Sequence, residues 1–172
     1  YLHFNHFKFL IIDLKHSVHV TEYYLKNNFP HLKIKSINDS SYRVNKDLFL
    51  KFDIVICNNE INIDNIPIDM FINARSFAEM EYNQINNYFN FINKNTVNYG
   101  YFININRYTK RSVGYDIDLC KYPYDDKWSV LYSGIAWKQE HIHFLITKRI
   151  KTKSSKIKNT LKTLRNKTLI LK

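Results

Sequence analysis

Short apolar runs, separated by segments with helical periodicity, constrain most strongly what this chain can fold into. The runs lie at 7–14, 32–37, 52–57, 68–73, 101–106, 128–133 and 141–147. The runs at 7–14, 52–57 and 68–73 are nearly continuous, which is typical of central parallel strands that are buried on both faces. Strand, helix, strand, strand, helix, strand and a terminal hairpin, in that order, predict a doubly wound α/β sheet with an antiparallel edge.

The first helical segment is predicted over residues 17–28, before Pro30 enforces a stop. Its apolar side is predicted to carry Val20, Tyr23, Tyr24 and Leu25. Since such a side must pack against the sheet, we expect these four residues to be buried.

The second helix is indicated by Ser76 and Glu79, which match the S-x-x-E capping box. Gly100 is predicted to lie in the turn beyond this helix. An apolar stripe recurs along it at Tyr82, Ile85, Tyr88, Phe89 and Ile92.

The net charge of +11 is concentrated at the carboxy-terminal end of the chain. Residues 1–147 hold 16 Lys and Arg against 15 Asp and Glu, whereas residues 148–172 hold 10 basic residues and no acidic one. A nearly neutral body does not fit a nucleic-acid-binding surface. We therefore predict a folded part at 1–149 and a basic tail at 150–172. The tail is interpreted as a solvated or frayed helix, or as a contact for an anionic membrane surface or a phosphate-bearing polymer.

The two cysteines, Cys57 and Cys120, lie far apart and have no metal-ligand spacing. We interpret them as free thiols in a reducing compartment and expect a cytoplasmic protein. No apolar stretch reaches the roughly 18 residues that cross a bilayer. We assign no metal ligands.

Several polar residues stand at predicted strand ends, where open α/β sheets bind ligands. Asp13 follows an apolar run and is interpreted either as an acid that accepts two ribose hydroxyls or as an ordinary loop acid. Asn73 and Arg75 end another run and are not explained by capping or core packing. Buried amides need partners, so Asn73 is a candidate ligand-binding residue.

Two further pairs share a strand face because side chains alternate along a strand. Asn104 and Asn106 lie on the same face as Phe102 and either orient a ligand or satisfy loop backbone groups. His141 and His143 also share a face, as metal ligands, as a general base or as a half-buried polar pair.

The segment IDMFINARSFAEM at 68–80, followed by an amphipathic helix and GYFININRY at 100–108, resembles a block of the sugar O-methyltransferase family. That block reads D-L-x-I-N-T-x-S-F-x-E-M, then G-Y-F-x-x-N-R. The segments IIDL and YYLKNNFPHLKI resemble the family's second strand and following helix, and WSVLYS with WKQEHIH resembles its closing hairpin. The resemblance covers residues 7–149. Ala74 and Lys15 depart from it, where the family more often has Thr and Pro.

The resemblance implies a Rossmann-like class I fold and methyl transfer from S-adenosylmethionine to a sugar hydroxyl in surface polysaccharide biosynthesis. It implies that Asp13 contacts the cofactor ribose, and that Asn73, Arg75 and Ser76 bind the cofactor. Glu79, Asn106 and Arg107 are assigned to the side of the sugar acceptor. His141 or His143 is expected to act as the base that removes the hydroxyl proton.

The glycines depart from the family pattern. Class I methyltransferases hold the methionine moiety of the cofactor on a glycine-rich turn after the first strand, because only glycine lets the backbone approach so closely. The glycines of this chain, Gly100, Gly114 and Gly134, all lie downstream. We therefore expect the carboxy-terminal part of a methyltransferase domain, without the first strand, its turn and its helix. A non-catalytic scaffold with a basic tail is the alternative.

Overall fold

The computed structural model describes residues 7–111, 115–137 and 139–171. Gly114, one of the three glycines, lies outside this range. The chain divides into two compact units, Tyr1–Ile66 and Pro67–Lys172.

The first unit contains a three-stranded parallel sheet in the order β1-β4-β2 and a small two-stranded sheet made of β3 and β5. Its elements are β1 (Phe9–Asp13), α1 (Val18–Asn28), β2 (Ile34–Ile37), β3 (Arg43–Val44), α2 (Lys46–Lys51), β4 (Ile54–Asn58) and β5 (Asn62–Ile63). The middle strand, β4, is buried along its whole length. The apolar run at 7–14, which we expected to be central, therefore forms an edge strand instead.

Helix α1 packs against this sheet through a different side from the predicted one. Val18 is fully buried against Ile54 and Ile56, with Leu25 partly buried beside them. Val20, Tyr23 and Tyr24 are exposed, so the prediction that they face the core is wrong for these three. The apolar character of Val20, Tyr23 and Tyr24 thus did not identify the buried side of α1.

The second unit contains a four-stranded sheet in the order β10-β11-β7-β6 and a small antiparallel pair, β8 and β9. Strands β6 and β7 run parallel, while β11 and β10 are antiparallel to their neighbours. Its elements are β6 (Ile68–Ala74), α3 (Tyr82–Asn95), β7 (Thr96–Arg107), β8 (Thr109–Arg111), β9 (Asp116–Asp118), β10 (Trp128–Ala136), β11 (Gln139–Arg149), α4 (Lys156–Leu171) and the 3₁₀ turns Phe77–Glu79 and Leu119–Lys121.

Strand β6 is an edge strand whose Met70 and Ile72 are exposed, so the expectation that this run is buried on both faces is wrong. Helix α3 buries Ile85, Phe89 and Ile92, as the stripe predicts.

The capping box of α3 differs from the predicted one. Glu81 and Gln84 form it, and the Gln84 side chain accepts the Glu81 N–H at 3.1 Å. The side chain of Ser76 caps no helix. Ser76 precedes the 3₁₀ turn Phe77–Glu79, which lies between β6 and the start of α3 at Tyr82.

Gly100 lies within β7 rather than in a turn after the helix. A Cβ at this position would lie 2.8 Å from Thr96 Cγ2 and 2.9 Å from the Asp69 carbonyl oxygen. The pairing of β6 with β7 shifts register here, between Ile68 and Met70. Close backbone approach at this irregularity therefore explains the glycine.

The core of the second unit lies on one face of its four-stranded sheet and is rich in aromatic rings. Ring pairs among Phe77, Phe89, Phe102, Tyr124 and Trp128 meet at centroid distances of 4.7–6.3 Å. Helix α4 adds Ile157 and Leu164 to this core. The part of the basic tail that forms α4 thus has one buried side and is not fully solvated.

The architecture is mixed α/β, with parallel strands in both units and an antiparallel hairpin, β10–β11, that confirms the predicted terminal pair. The described strands form separate sheets, one set in each unit, rather than one hydrogen-bonded sheet.

Candidate functional site

A chain of hydrogen bonds, here called the asparagine chain, runs across β6 and β7 in the second unit. Asn104 donates to the Tyr124 hydroxyl oxygen at 3.0 Å, and Asn106 donates to Asn73 Oδ1 at 2.8 Å. Asn106 also donates to Asn104 Oδ1, and Asn73 donates to Ser76 Oγ. Asn104 and Asn106 are completely buried, whereas Ser76 is exposed, so the chain leads from the core to the surface.

The asparagine chain lies at the carboxyl ends of two parallel strands. Asn73 pairs with Asn104 in the β6–β7 ladder, and both strands end within three residues of these positions. Asn106 Oδ1 also accepts the Ala78 backbone N–H at 3.3 Å. The amides therefore do satisfy a loop backbone group, while their outer end at Ser76 remains accessible.

Because β11 is antiparallel to β7, its beginning lies at the same edge of the sheet. Ile142 pairs with Arg107, and His143 pairs with Asn106. This edge thereby brings together Asn73, Arg75, Ser76, Asn106, Arg107, His141 and His143, all of which sequence analysis selected.

Arg75 continues the β6–β7 ladder, since its N–H donates to the Ile105 carbonyl oxygen at 2.7 Å. Its φ of 68° lies in the left-handed region that non-glycine residues rarely adopt. The exposed guanidinium donates to Gln139 Oε1 on β11 at 2.8 Å. Arg75 is thus held in an unusual conformation at the strand end, with cationic surface open to solvent.

Glu79 and Arg107 differ in their surroundings. Glu79 lies in the 3₁₀ turn after β6 and forms an ion pair with Lys110 on β8. Arg107 is the last residue of β7 and is exposed.

The two histidines also differ. His141 is exposed, and its carbonyl oxygen accepts the Tyr108 N–H at 3.2 Å. His143 is buried, with Nδ1 2.9 Å from the Tyr108 hydroxyl oxygen and Nε2 2.9 Å from Ser133 Oγ. Burial, with a smaller repulsion from Lys167, lowers the pKa of His143 to about 4. His143 is therefore a neutral imidazole at neutral pH.

Asp13 lies at the carboxyl end of β1 in the first unit. Its carboxylate accepts the Leu14 N–H at 2.8 Å and the Thr21 hydroxyl at 3.4 Å. Its ladder partner, Asn58, is fully buried and donates to the Asn38 carbonyl oxygen at 2.9 Å. The strand ends of the first unit thus carry a polar cluster of their own.

Tyr108, Tyr124 and Ser133 complete these arrangements, and no pattern in the sequence indicated a role for them. Each lies at least ten residues from its polar partner, since Tyr124 is 20 residues from Asn104 and Tyr108 is 35 from His143. The buried pair Asn104 and Asn106 was the available signal that a polar partner must exist.

Tyr122 differs from these buried polar side chains, each of which has a hydrogen-bond partner. Within the described part of the chain, its hydroxyl is buried without a hydrogen-bond partner. Its ring packs edge-on against Phe77 at 5.7 Å and against Phe89 at 6.0 Å.

Among the described residues, no three His, Cys, Asp or Glu side chains are grouped so that they could hold a metal ion. No described helix combines the length and apolar character needed to cross a membrane. No family model matches the sequence, and no curated protein or solved structure is similar enough to count as a match.

Proposed function

We propose that this chain is part of an S-adenosylmethionine-dependent O-methyltransferase that acts on a sugar hydroxyl. The supporting observation is the convergence of Asn73, Arg75, Ser76 and Asn106 at the carboxyl ends of β6 and β7. Open α/β sheets bind their ligands at this edge of parallel strands. The same residues belong to the block that resembles the sugar O-methyltransferase family.

The donor set at the end of β6 suits the polar parts of the cofactor. The exposed guanidinium of Arg75 can bind the carboxylate of the cofactor. Because the Ser76 hydroxyl oxygen accepts a hydrogen bond from Asn73, its O–H is directed elsewhere and can donate to the cofactor. The described glycines do not form a ligand cradle, because a Cβ at Gly100 or Gly134 would meet Thr96 or Tyr132 of this chain. A glycine-rich turn for the methionine moiety would come from residues other than these.

When bound, the cofactor supplies an electrophilic methyl group. The protein would align the acceptor hydroxyl for in-line attack and remove its proton. His141 is the better base of the two histidines, because its side chain is exposed at this edge while both ring nitrogens of His143 already have partners. Arg107, exposed at the end of β7, would contact the acceptor together with Glu79.

The test is calorimetric titration of S-adenosylhomocysteine into this chain and into the natural full-length protein. We expect binding to at least the full-length protein, weakened about 10-fold or more by Arg75→Gln or Ser76→Ala, since each loses a polar contact worth roughly 1.4 kcal/mol. Asn98→Ala is the matched control, because Asn98 is an exposed β7 residue near the opposite end of the strand. Absence of binding to either protein at millimolar ligand overturns the proposal.

A second candidate function, attachment to an anionic surface, is favoured by α4. Its exposed side chains include Lys156, Lys158, Lys162, Arg165 and Lys167. Among the described side chains, no carboxylate lies within 4.0 Å of these five cations. Among the described side chains of α4, Ile157 and Leu164 are buried in the core and Leu161 packs against it, so these three are not free to insert into a membrane. Contact would be electrostatic, with anionic phospholipid head groups.

Co-sedimentation with phosphatidylserine vesicles at low and high salt tests this candidate. The triple variant Lys158→Gln, Lys162→Gln, Arg165→Gln removes charge without touching the buried side of α4. At about 1 kcal/mol for each basic residue, we expect roughly 100-fold weaker binding. A variant with Lys35→Gln, Lys46→Gln and Lys51→Gln in the first unit is the charge-matched control. Binding that is insensitive to salt, or equally weakened by both variants, contradicts this function.

A further inference from the structure

Ser133, His143 and Tyr108 form a second polar arrangement, here called the Ser133 cluster. Ser133 Oγ lies 2.9 Å from His143 Nε2, and the Tyr108 hydroxyl oxygen lies 2.9 Å from His143 Nδ1. A hydroxyl, an imidazole and a third group that orients the imidazole are the parts of an activated-serine site. Neither the asparagine chain nor the proposed methyl transfer uses Ser133.

The three residues differ in burial. An activated-serine site needs a nucleophile that substrate can reach and a base that is held in place. His143 and Tyr108 are 1 % and 2 % exposed, whereas Ser133 is an exposed residue on the edge strand β10. The imidazole is therefore shielded from water, whereas the residue that carries the hydroxyl is exposed. His143 is neutral at neutral pH, so one of its ring nitrogens carries a lone pair, and Nε2 lies 2.9 Å from Ser133 Oγ.

The imidazole is held firmly in place. His143 lies in β11 and pairs with Asn106 on one side and Ile135 on the other. The ring of Tyr108 packs against it, with centroids 5.1 Å apart. Tyr108 is itself anchored, because its N–H donates to the His141 carbonyl oxygen and its carbonyl oxygen accepts the Leu119 N–H at 3.0 Å. Preorganised groups of this kind lower the cost of reaching a reactive geometry.

We propose that the Ser133 cluster is a catalytic site for the cleavage of carboxylic esters, with Ser133 as nucleophile, His143 as general base and Tyr108 as a positioning residue. In this arrangement His143 Nδ1–H donates to the Tyr108 hydroxyl oxygen, which leaves the Nε2 lone pair directed at Ser133. The substrate class is a small ester that can reach the edge of the sheet.

The step balances without a cofactor. Ser133 Oγ bonds to the acyl carbon as its proton moves to His143 Nε2. The bond between the acyl carbon and the alcohol oxygen then breaks, and the alcohol leaves with the proton from Nε2. Water, deprotonated by the same Nε2, hydrolyses the acyl-serine and restores the hydroxyl. This activity is independent of methyl transfer, so either can fail without the other.

A fluorophosphonate probe on the full chain tests the proposal, since it phosphonylates an activated serine and releases fluoride. We expect mass spectrometry to locate the label on Ser133, with labelling lost in Ser133→Ala and slowed at least 100-fold in His143→Gln. Ser129→Ala, on the same strand, is the control. In this variant Ser133 should be labelled at the same rate as in the natural sequence. No label on Ser133 in folded protein, or equal labelling of unrelated serines, overturns the proposal.

A second variant keeps the test decisive if His143→Gln does not fold. Ser133→Cys places a thiol at the same position, where transfer of its proton to His143 Nε2 would form a thiolate–imidazolium pair. We expect iodoacetamide to alkylate Cys at position 133 at pH 6 at least 10-fold faster than it alkylates free cysteine. A rate equal to that of free cysteine from pH 6 to pH 9 shows that His143 does not activate this position. Tyr108→Phe tests the role of Tyr108 as a positioning residue. We expect this variant to shift the pH profile of Ser133 labelling, whereas a merely structural role would change only the amount of folded protein.

Discussion

The side-chain amide of Asn106 donates to Asn73 Oδ1 at 2.8 Å and thereby connects the ends of β7 and β6. The two residues are 33 positions apart in the chain, and helix α3 lies between them. Their contact joins the fully buried Asn104 to the exposed Ser76 through one run of hydrogen bonds. The stability of this edge of the sheet and the geometry of the proposed cofactor site therefore depend on the same side chains.

The first prediction concerns Asn106→Ala. The variant removes the donor to Asn73 and leaves the Ala78 N–H and Asn104 Oδ1 without their present partner. Because buried polar groups without partners are costly, we expect the free energy of unfolding to fall by about 2 kcal/mol. Urea denaturation measures it, with the exposed Asn98→Ala as control, for which about 0.5 kcal/mol or less is expected. Equal losses in both variants would contradict a special role for Asn106.

The second prediction compares two tyrosines of the same aromatic core. Tyr122→Phe removes a buried hydroxyl that has no partner, so we expect unchanged stability or a gain of up to about 1 kcal/mol. Tyr124→Phe removes the acceptor of the Asn104 amide, so we expect a loss of about 1 kcal/mol. Thermal and urea unfolding of both variants provide the measurement. A clear loss for Tyr122→Phe would mean that its hydroxyl has a partner after all.

The third prediction is a pH dependence of stability that arises from His143. Its pKa in the folded state, about 4, lies below the value of about 6.5 for an unfolded chain. Between these two pH values the unfolded state binds more protons than the folded state. The contribution of His143 to the free energy of unfolding is therefore complete above about pH 6.5 and is lost as the pH falls toward 4. Tyr108, Ser133 and Lys167 are the polar and charged groups that act on the imidazole.

From pH 7 to pH 4.5 this effect should lower the free energy of unfolding by about 2 kcal/mol. The measurement is urea denaturation at both pH values for the natural sequence and for His143→Gln. The difference between the two pH dependences isolates His143 from the carboxylates. Identical dependences would show that the imidazole does not titrate with a lowered pKa.

The fourth prediction contrasts two glycines. At Gly100 a Cβ would meet the Asp69 carbonyl oxygen at 2.9 Å, and backbone cannot move away cheaply. At Gly134 the obstacle is the Tyr132 hydroxyl at 2.5 Å, the far end of an exposed side chain. We therefore expect Gly100→Ala to cost about 1–3 kcal/mol and Gly134→Ala clearly less, as measured by thermal unfolding. The reverse order would contradict the close approach of β6 and β7 at Gly100.

Periodicity in the sequence determined the local elements of this protein. The stripe that contains Ile85, Phe89 and Ile92 identified α3 and its buried side, because helical spacing alone brings those residues to one face. Alternation likewise placed Phe102, Asn104 and Asn106 on the buried face of β7, and two apolar runs identified the β10–β11 hairpin. Each of these features depends on residues within one helix, one strand or one hairpin.

Only the tertiary structure decided which strands neighbour one another and where buried polar groups find partners. An apolar run looks the same on an edge or in the middle of a sheet, so β4 rather than β1 is central in its sheet, and β6 lies at an edge of the other. Tyr124 reaches Asn104, and Tyr108 and Ser133 reach His143, through strand order and register. Those contacts join residues that are distant in the chain, and packing of the whole unit selects them, whereas no local spacing in the sequence encodes them.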